Sequence, residues 1–167
     1  SEMIGLDTEA LVWDRDGCGM PALCMPMDAL ARGYARFANC ADFPAQRATA
    51  MKRIISSIAR YPGMIAGTGR CCTAVIEKTG GRVLVKTGAE GVFAGVVPER
   101  GIGFALKIDD GATRGSEVAL GGLLGALGVL RADETDALKP WFRPAVRNSQ
   151  DYVTGWIEPS AEWKSRQ

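Results

Sequence analysis

The 167-residue sequence contains no histidine. That removes the commonest general base and the commonest metal ligand, and it excludes Ser-His-Asp and Cys-His catalysis within this chain. Net charge is also nearly absent: 20 basic and 19 acidic side chains leave +1. They are spread along the chain, with no basic block of the kind that nucleic acid or an anionic membrane needs. Neither is an expected partner. No long apolar run is present. The longest, residues 118–130, is broken by glycines and too short to span a bilayer. Five cysteines, at 18, 24, 40, 71 and 72, are an odd number and form no disulfide framework. No charged-then-apolar leader opens the chain. Free thiols and a cytoplasmic setting are therefore expected. The first residues, Ser1-Glu2-Met3, suggest a piece of something longer.

What is present is globular. Apolar residues make 47% and charged residues 23%, and residues 1–167 suit a single domain with a core of its own. Residues 1–20 are mixed, with an Asp16-Gly17-Cys18-Gly19 turn. Leu30, Tyr34, Phe37 and Ala38 recur at helical spacing, with Asp28 as expected N-cap. Pro44 opens a second helix, with Ala48, Met51, Ile54, Ile55 and Ile58 on one face, ending before Pro62-Gly63. Cys71, Cys72, Val75 and Ile76 fit a short helix closing at Gly80-Gly81, with a strand as the alternative. The period then changes. Residues 82–87, 91–97 and 102–108 are short β-branched runs joined by tight turns, an antiparallel meander. Residues 113 to about 130 read as a helix. Its Gly121, Gly122, Gly125 and Gly128 weaken it and predict close packing on the sheet. The remainder, through Pro140 and Pro144, reads as loop until a last strand at 152–157. The fold class is α+β.

Lys-Thr-Gly occurs twice within EKTGGRVLVKTGAEGVF, residues 77–93. The first copy, Lys78-Thr79-Gly80, falls at a predicted helix end, where lysine suits the dipole and glycine breaks the helix. The second, Lys86-Thr87-Gly88, ends an aliphatic strand. Alternation puts Arg82, Leu84 and Lys86 on one face and Val83, Val85 and Thr87 on the other. A lysine among apolar neighbours suits proton transfer, and Gly88 leaves room for a ligand. An exposed strand lysine is the plainer alternative. Lys-Thr-Gly on a strand is also one of the motifs that build the serine site of penicillin-binding proteins and β-lactamases, beside a Ser-x-x-Lys element.

The surroundings favour a site. VLVKTGAEGVFAGVVPERGIGFALKIDDGATR resembles the signature of the bacterial, Rhizobium-type L-asparaginase II family. DRDGCGMPALCMPMDALARGYARFA, AGTGRCCTAVIEKTGGR and VRNSQDYVTGWIEP resemble it too. The resemblance implies a fold like that of glutaminases and serine β-lactamases, here its C-terminal portion, and hydrolysis of L-asparagine to aspartate and ammonia. Lys86 matches the family's strand lysine that works with a serine. Cys18 matches a zinc-ligand cysteine and Asp16 an aspartate beside that metal. Thr87, Gly88 and Glu90 sit where the strand edge of the related fold contacts substrate. A lysine that takes a serine's proton makes a poor nucleophile a good one, and strand-edge amides suit a developing oxyanion.

Departures limit the match. No Ser-x-x-Lys occurs in the chain. Its nearest imitation, Thr49-Ala50-Met51-Lys52, reads as part of an amphipathic helix. The resemblance implies that the serine tandem and the other zinc ligands belong to a missing N-terminal half, so Cys18 alone makes no zinc site. Without the resemblance, Cys18 reads as a buried thiol after a tight turn. The vicinal Cys71-Cys72 lacks metal-site spacing and reads as core, with Cys72 near the active region. Three readings stand: half of an asparaginase, paired with its missing half or with a second copy; a binding or assembly domain that lost the reaction; and a small thiolate metal-binding module. A lone half is expected to expose apolar surface and to self-associate.

Overall fold

The computed structural model describes residues 1–165. The chain opens with a small exposed hairpin, β1 (Trp13–Arg15) and β2 (Pro21–Leu23), where the sequence reading had only a turn. Helix α1 (Met27–Ala38) starts after Pro26, not after Asp28. Asp28 lies in its first turn and pairs with Arg32 at 3.1 Å. Helix α2 (Ala45–Arg60) follows Pro44 as expected, and a single turn, α3 (Gly63–Ala66), leads to α4 (Cys71–Lys78). The first Lys-Thr-Gly ends α4. Gly80 and Gly81 take left-handed backbone, and Gly81 donates to Ile76 O at 2.9 Å, returning the chain towards the sheet.

The meander is present as β3 (Leu84–Thr87), β4 (Val92–Val97) and β5 (Ile102–Lys107), all antiparallel in that order. Both faces are covered, so the runs are apolar on both sides. Val83, Val85, Phe93, Val97 and Phe104 face the main core with α4 and helix α5 (Thr113–Ala126). Leu84 and Val96 face α1 and α2. Opposite Val96 in the register stands Gly103. A Cβ there would lie 2.0 Å from Ala35 N and 2.3 Å from Ala31 O, so α1 crosses β5 backbone against backbone.

Two expectations for the C-terminal part fail. Helix α5 stops at Ala126, since Gly128 turns left-handed. Its glycines do not serve the sheet: a Cβ on Gly121 would strike the Phe142 ring at 2.5 Å. Phe142 belongs to α6 (Ala132–Phe142), a helix that runs through Pro140 where a loop was expected. The buried positions of α6 are Glu134, Leu138 and Phe142. One of the three is charged, which breaks the apolar stripe. Glu134 is 5% exposed and ion-pairs with Arg82, which also donates to Val129 O at 3.0 Å. A second hairpin, β6 (Ala145–Arg147) and β7 (Val153–Trp156), and α7 (Ala161–Ser165) close the described chain. Among the described residues, no helix is long and apolar enough to cross a membrane.

Two outcomes follow. Gly103→Ala should lower stability by about 3 kcal/mol, because backbone has to move; a urea midpoint within error of the parent would refute the contact. Burial alone would raise the Glu134 carboxyl, but the Arg82 hydrogen bond and charge, with the Arg131 N–H, hold it below its ordinary value. A depressed carboxylate stabilises above its unfolded pKa, and that contribution fades as pH falls through the folded one. Glu134→Gln should therefore cost about 1.5–3 kcal/mol at neutral pH and flatten the acid limb of a stability–pH profile below about pH 5. An unchanged acid limb would remove Glu134 from that role.

Candidate functional site

The second Lys-Thr-Gly lies at the C-terminal end of β3, an edge strand. Lys86 pairs in register with Ala94 and so faces α1. Its side chain stands at an apolar cavity of about 480 Å³ between α1, the N-terminal segment, α2, α3 and the sheet. Leu30, Tyr34, Phe37, Leu84, Ala94 and Val96 form much of the wall. Lys86 is the one charged residue lining it, and no serine, threonine or cysteine does so among the described residues. The Lys86 ammonium donates to Thr87 O, and Lys86 is exposed.

The backbone after Lys86 is well tied. Gly88 N–H points inward and donates to Val92 O at 2.8 Å. Thr87 N–H points off the free edge and donates to Cys72 Sγ at 3.3 Å. Of these two amides only that of Thr87 is held by a weak acceptor, which bears on any oxyanion role. Thr87 Oγ1 donates to Gly88 O at 3.2 Å. Glu90 sits in the β3–β4 turn at φ 57°, and Lys107 Nζ donates to its carbonyl at 2.6 Å. Lys86, Thr87, Gly88 and Glu90 are thus gathered at one corner of the sheet.

Asp16 and Cys18 are elsewhere, in the β1–β2 turn, and no hydrogen bond or ion pair links that turn to β3 among the described residues. Cys18 is exposed, which corrects its reading as a buried thiol. Its Sγ donates to Asp16 Oδ1 at 3.0 Å, and its N–H reaches the same oxygen at 2.9 Å. The Cys18 thiol, then the N–H groups of Met20 and Cys18, hold the Asp16 carboxyl below its ordinary value. Thiolate and carboxylate are both zinc donors, but a structural site needs four ligands. Among the described residues no three His, Cys, Asp or Glu side chains gather. Asp16 and Cys18 bring together one carboxylate and one thiol, two donors where a structural zinc site needs four.

Cys71 and Cys72 are core residues, 2% and 1% exposed. Burial raises both thiols; for Cys72 the Thr87 N–H and the Lys86 and Arg70 charges oppose it. The sequence reading missed the cavity wall. Its signal was present in the Leu30, Tyr34 and Phe37 stripe, which read as ordinary core.

With that geometry in place, comparison with known families is decisive. The model of the L-asparaginase II family matches residues 1–159. The chain belongs to that family. Comparison with curated proteins gave no match. Membership gives the chain an asparaginase-like function, that of a hydrolase acting on amides, and makes asparagine the implied substrate. In this family member the match runs through both hairpins, the meander and the Lys86 corner.

The thiols give a direct check. Alkylation of the folded chain should label Cys18 and Cys24 quickly and leave Cys40, Cys71 and Cys72 protected until denaturant is added. Rapid native labelling of the vicinal pair, seen by mass spectrometry, would contradict the packing of α4.

Proposed function

We propose that this chain carries the lysine half of an L-asparaginase site. Lys86 accepts the proton of a serine that lies outside these 167 residues. The observation that carries the reading is a lone ammonium at the mouth of an apolar cavity that no serine, threonine or cysteine lines among the described residues, in a chain of the L-asparaginase II family. In its neutral form the Lys86 nitrogen takes the serine proton as the oxygen attacks the side-chain amide carbon of L-asparagine. Lys86 then gives that proton to the departing nitrogen, and ammonia leaves. Water attacks the resulting ester, again losing its proton to Lys86; the ester C–O bond breaks, Lys86 returns the proton to the serine oxygen, and L-aspartate and free serine result.

Thr87, Gly88 and Glu90 border this corner and are the proposed substrate contacts. Asp16 and Cys18 are this chain's proposed donors to a zinc centre whose other ligands come with the serine. A second copy of these residues brings no Ser-x-x-Lys, so the serine-bearing partner is an N-terminal half. It would also cover exposed apolar side chains such as Val12, Trp13, Met20 and Met64, which are 77%, 58%, 62% and 87% exposed. The likeness to the fold of serine β-lactamases and glutaminases is part of this proposal. An edge strand ending in Lys-Thr-Gly at the substrate corner supports it.

Ammonia release from L-asparagine tests the reading. The chain alone should be inactive. Co-expression with a segment that supplies Ser-x-x-Lys should bring activity, and Lys86→Ala should lower it about a hundredfold or more. Activity of the chain alone, unchanged in Lys86→Ala, would show that the nucleophile and base lie elsewhere. Inactivity in every combination would favour the binding-domain reading.

A further inference from the structure

Lys86 is the last residue but one of an edge strand, and strand ends at a sheet edge open easily unless something ties them down. Its hydrogen bonds show what does. The ammonium of Lys86 donates to the carbonyl of Thr87. The N–H of the same Thr87 donates to Cys72 Sγ at 3.3 Å. Cys72 is 1% exposed and stands in the first turn of α4, whose Cys71, Cys72, Ala74 and Val75 all belong to the main core. The chain of contacts therefore runs from a rigid core helix, through Thr87, to the Lys86 nitrogen. Antiparallel pairing cannot supply this tie, because the N–H of Thr87 points away from β4, while that of its neighbour Gly88 is already bonded to Val92 O.

We propose that Cys72 is a positioning residue that fixes the Thr87 peptide and, through it, the direction of Lys86. This role rests on the reading of Lys86 as the proton-transfer group. Burial keeps the thiol in its neutral form, raised above its ordinary value, so it serves as a weak acceptor and not as a nucleophile. Cys71 provides the contrast. It is equally buried, on the same turn, and has no bond to Thr87.

The experiment follows the Thr87 amide and the Lys86 side chain by NMR in the whole 167-residue chain. Cys72→Ala should speed exchange of the Thr87 amide about tenfold and move the Lys86 side-chain resonances. Cys72→Ser, which restores an acceptor, should return both towards the parent. Cys71→Ala should lower the melting temperature about as much as Cys72→Ala but leave Thr87 and Lys86 in place. Equal effects of the two alanine variants on Lys86, or no effect of Cys72→Ala, would overturn the positioning role. So would a serine variant that behaves like alanine. Ammonia release is read separately. No ammonia release from the chain co-expressed with a Ser-x-x-Lys segment, with this NMR pattern intact, would sink the asparaginase reading and leave the tie between Cys72 and Thr87 standing.

Discussion

The close crossing of α1 over β5 governs the rest of the molecule. Gly103 has no side chain, and the helix backbone fills the space a Cβ would take. On the same sheet face Gly103 on β5 stands opposite Val96 on β4, and Val96 stands opposite Leu84 on β3, while Lys107 lies at the far end of β5. A straight helix seated on β5 must stand off β3. The gap it leaves is the apolar cavity, and its mouth is Lys86. One glycine thus places a cavity beside a lysine on the far strand. Interiors this tightly packed transmit such a constraint across the whole width of a sheet.

The opposite face of the sheet is rigid for a different reason. Val83, Val85, Phe93 and Phe104 pack against α4, α5 and α6 in one core. Arg82 and Glu134 clamp the start of β3 to α6. Thr79, 2% exposed, donates to Val75 O at 2.8 Å and accepts from Val83 N at 3.3 Å, so the helix end and strand start share one hydroxyl. The two Lys-Thr-Gly copies bracket this anchored strand. The first locks its beginning. The second leaves its end at the surface, where the Lys86 ammonium bonds the Thr87 carbonyl and the Thr87 amide bonds Cys72.

Much of this was legible in the sequence because it is local. Strand alternation put Lys86 on one face and Thr87 on the other, and short turns between β-branched runs gave the meander. Asp16-Gly17-Cys18-Gly19 announced its turn. What the sequence concealed depends on distant partners. Helix α6 hid because one of its buried positions is Glu134, whose partner Arg82 is on another element, and because Pro140 reads as a stop. The cavity hid because five elements and the N-terminal segment supply its wall. The glycines of α5 were rightly read as marks of close packing but assigned to the sheet, since nothing in the sequence says that Phe142 reaches Gly121. The start of α1 was misplaced by one turn signal competing with another, Asp28 against Pro26.

The central claim is that chemistry belongs to the β3 corner. Titrating L-aspartate, the proposed product, into the isotope-labelled chain tests it most directly. The largest amide shifts should fall on Lys86, Thr87 and Gly88 and on Tyr34 and Ala94 at the cavity wall. Shifts centred instead on the polar depression formed by Ser1, Asp7, Arg36 and Phe43, or none at the β3 corner, would contradict the account.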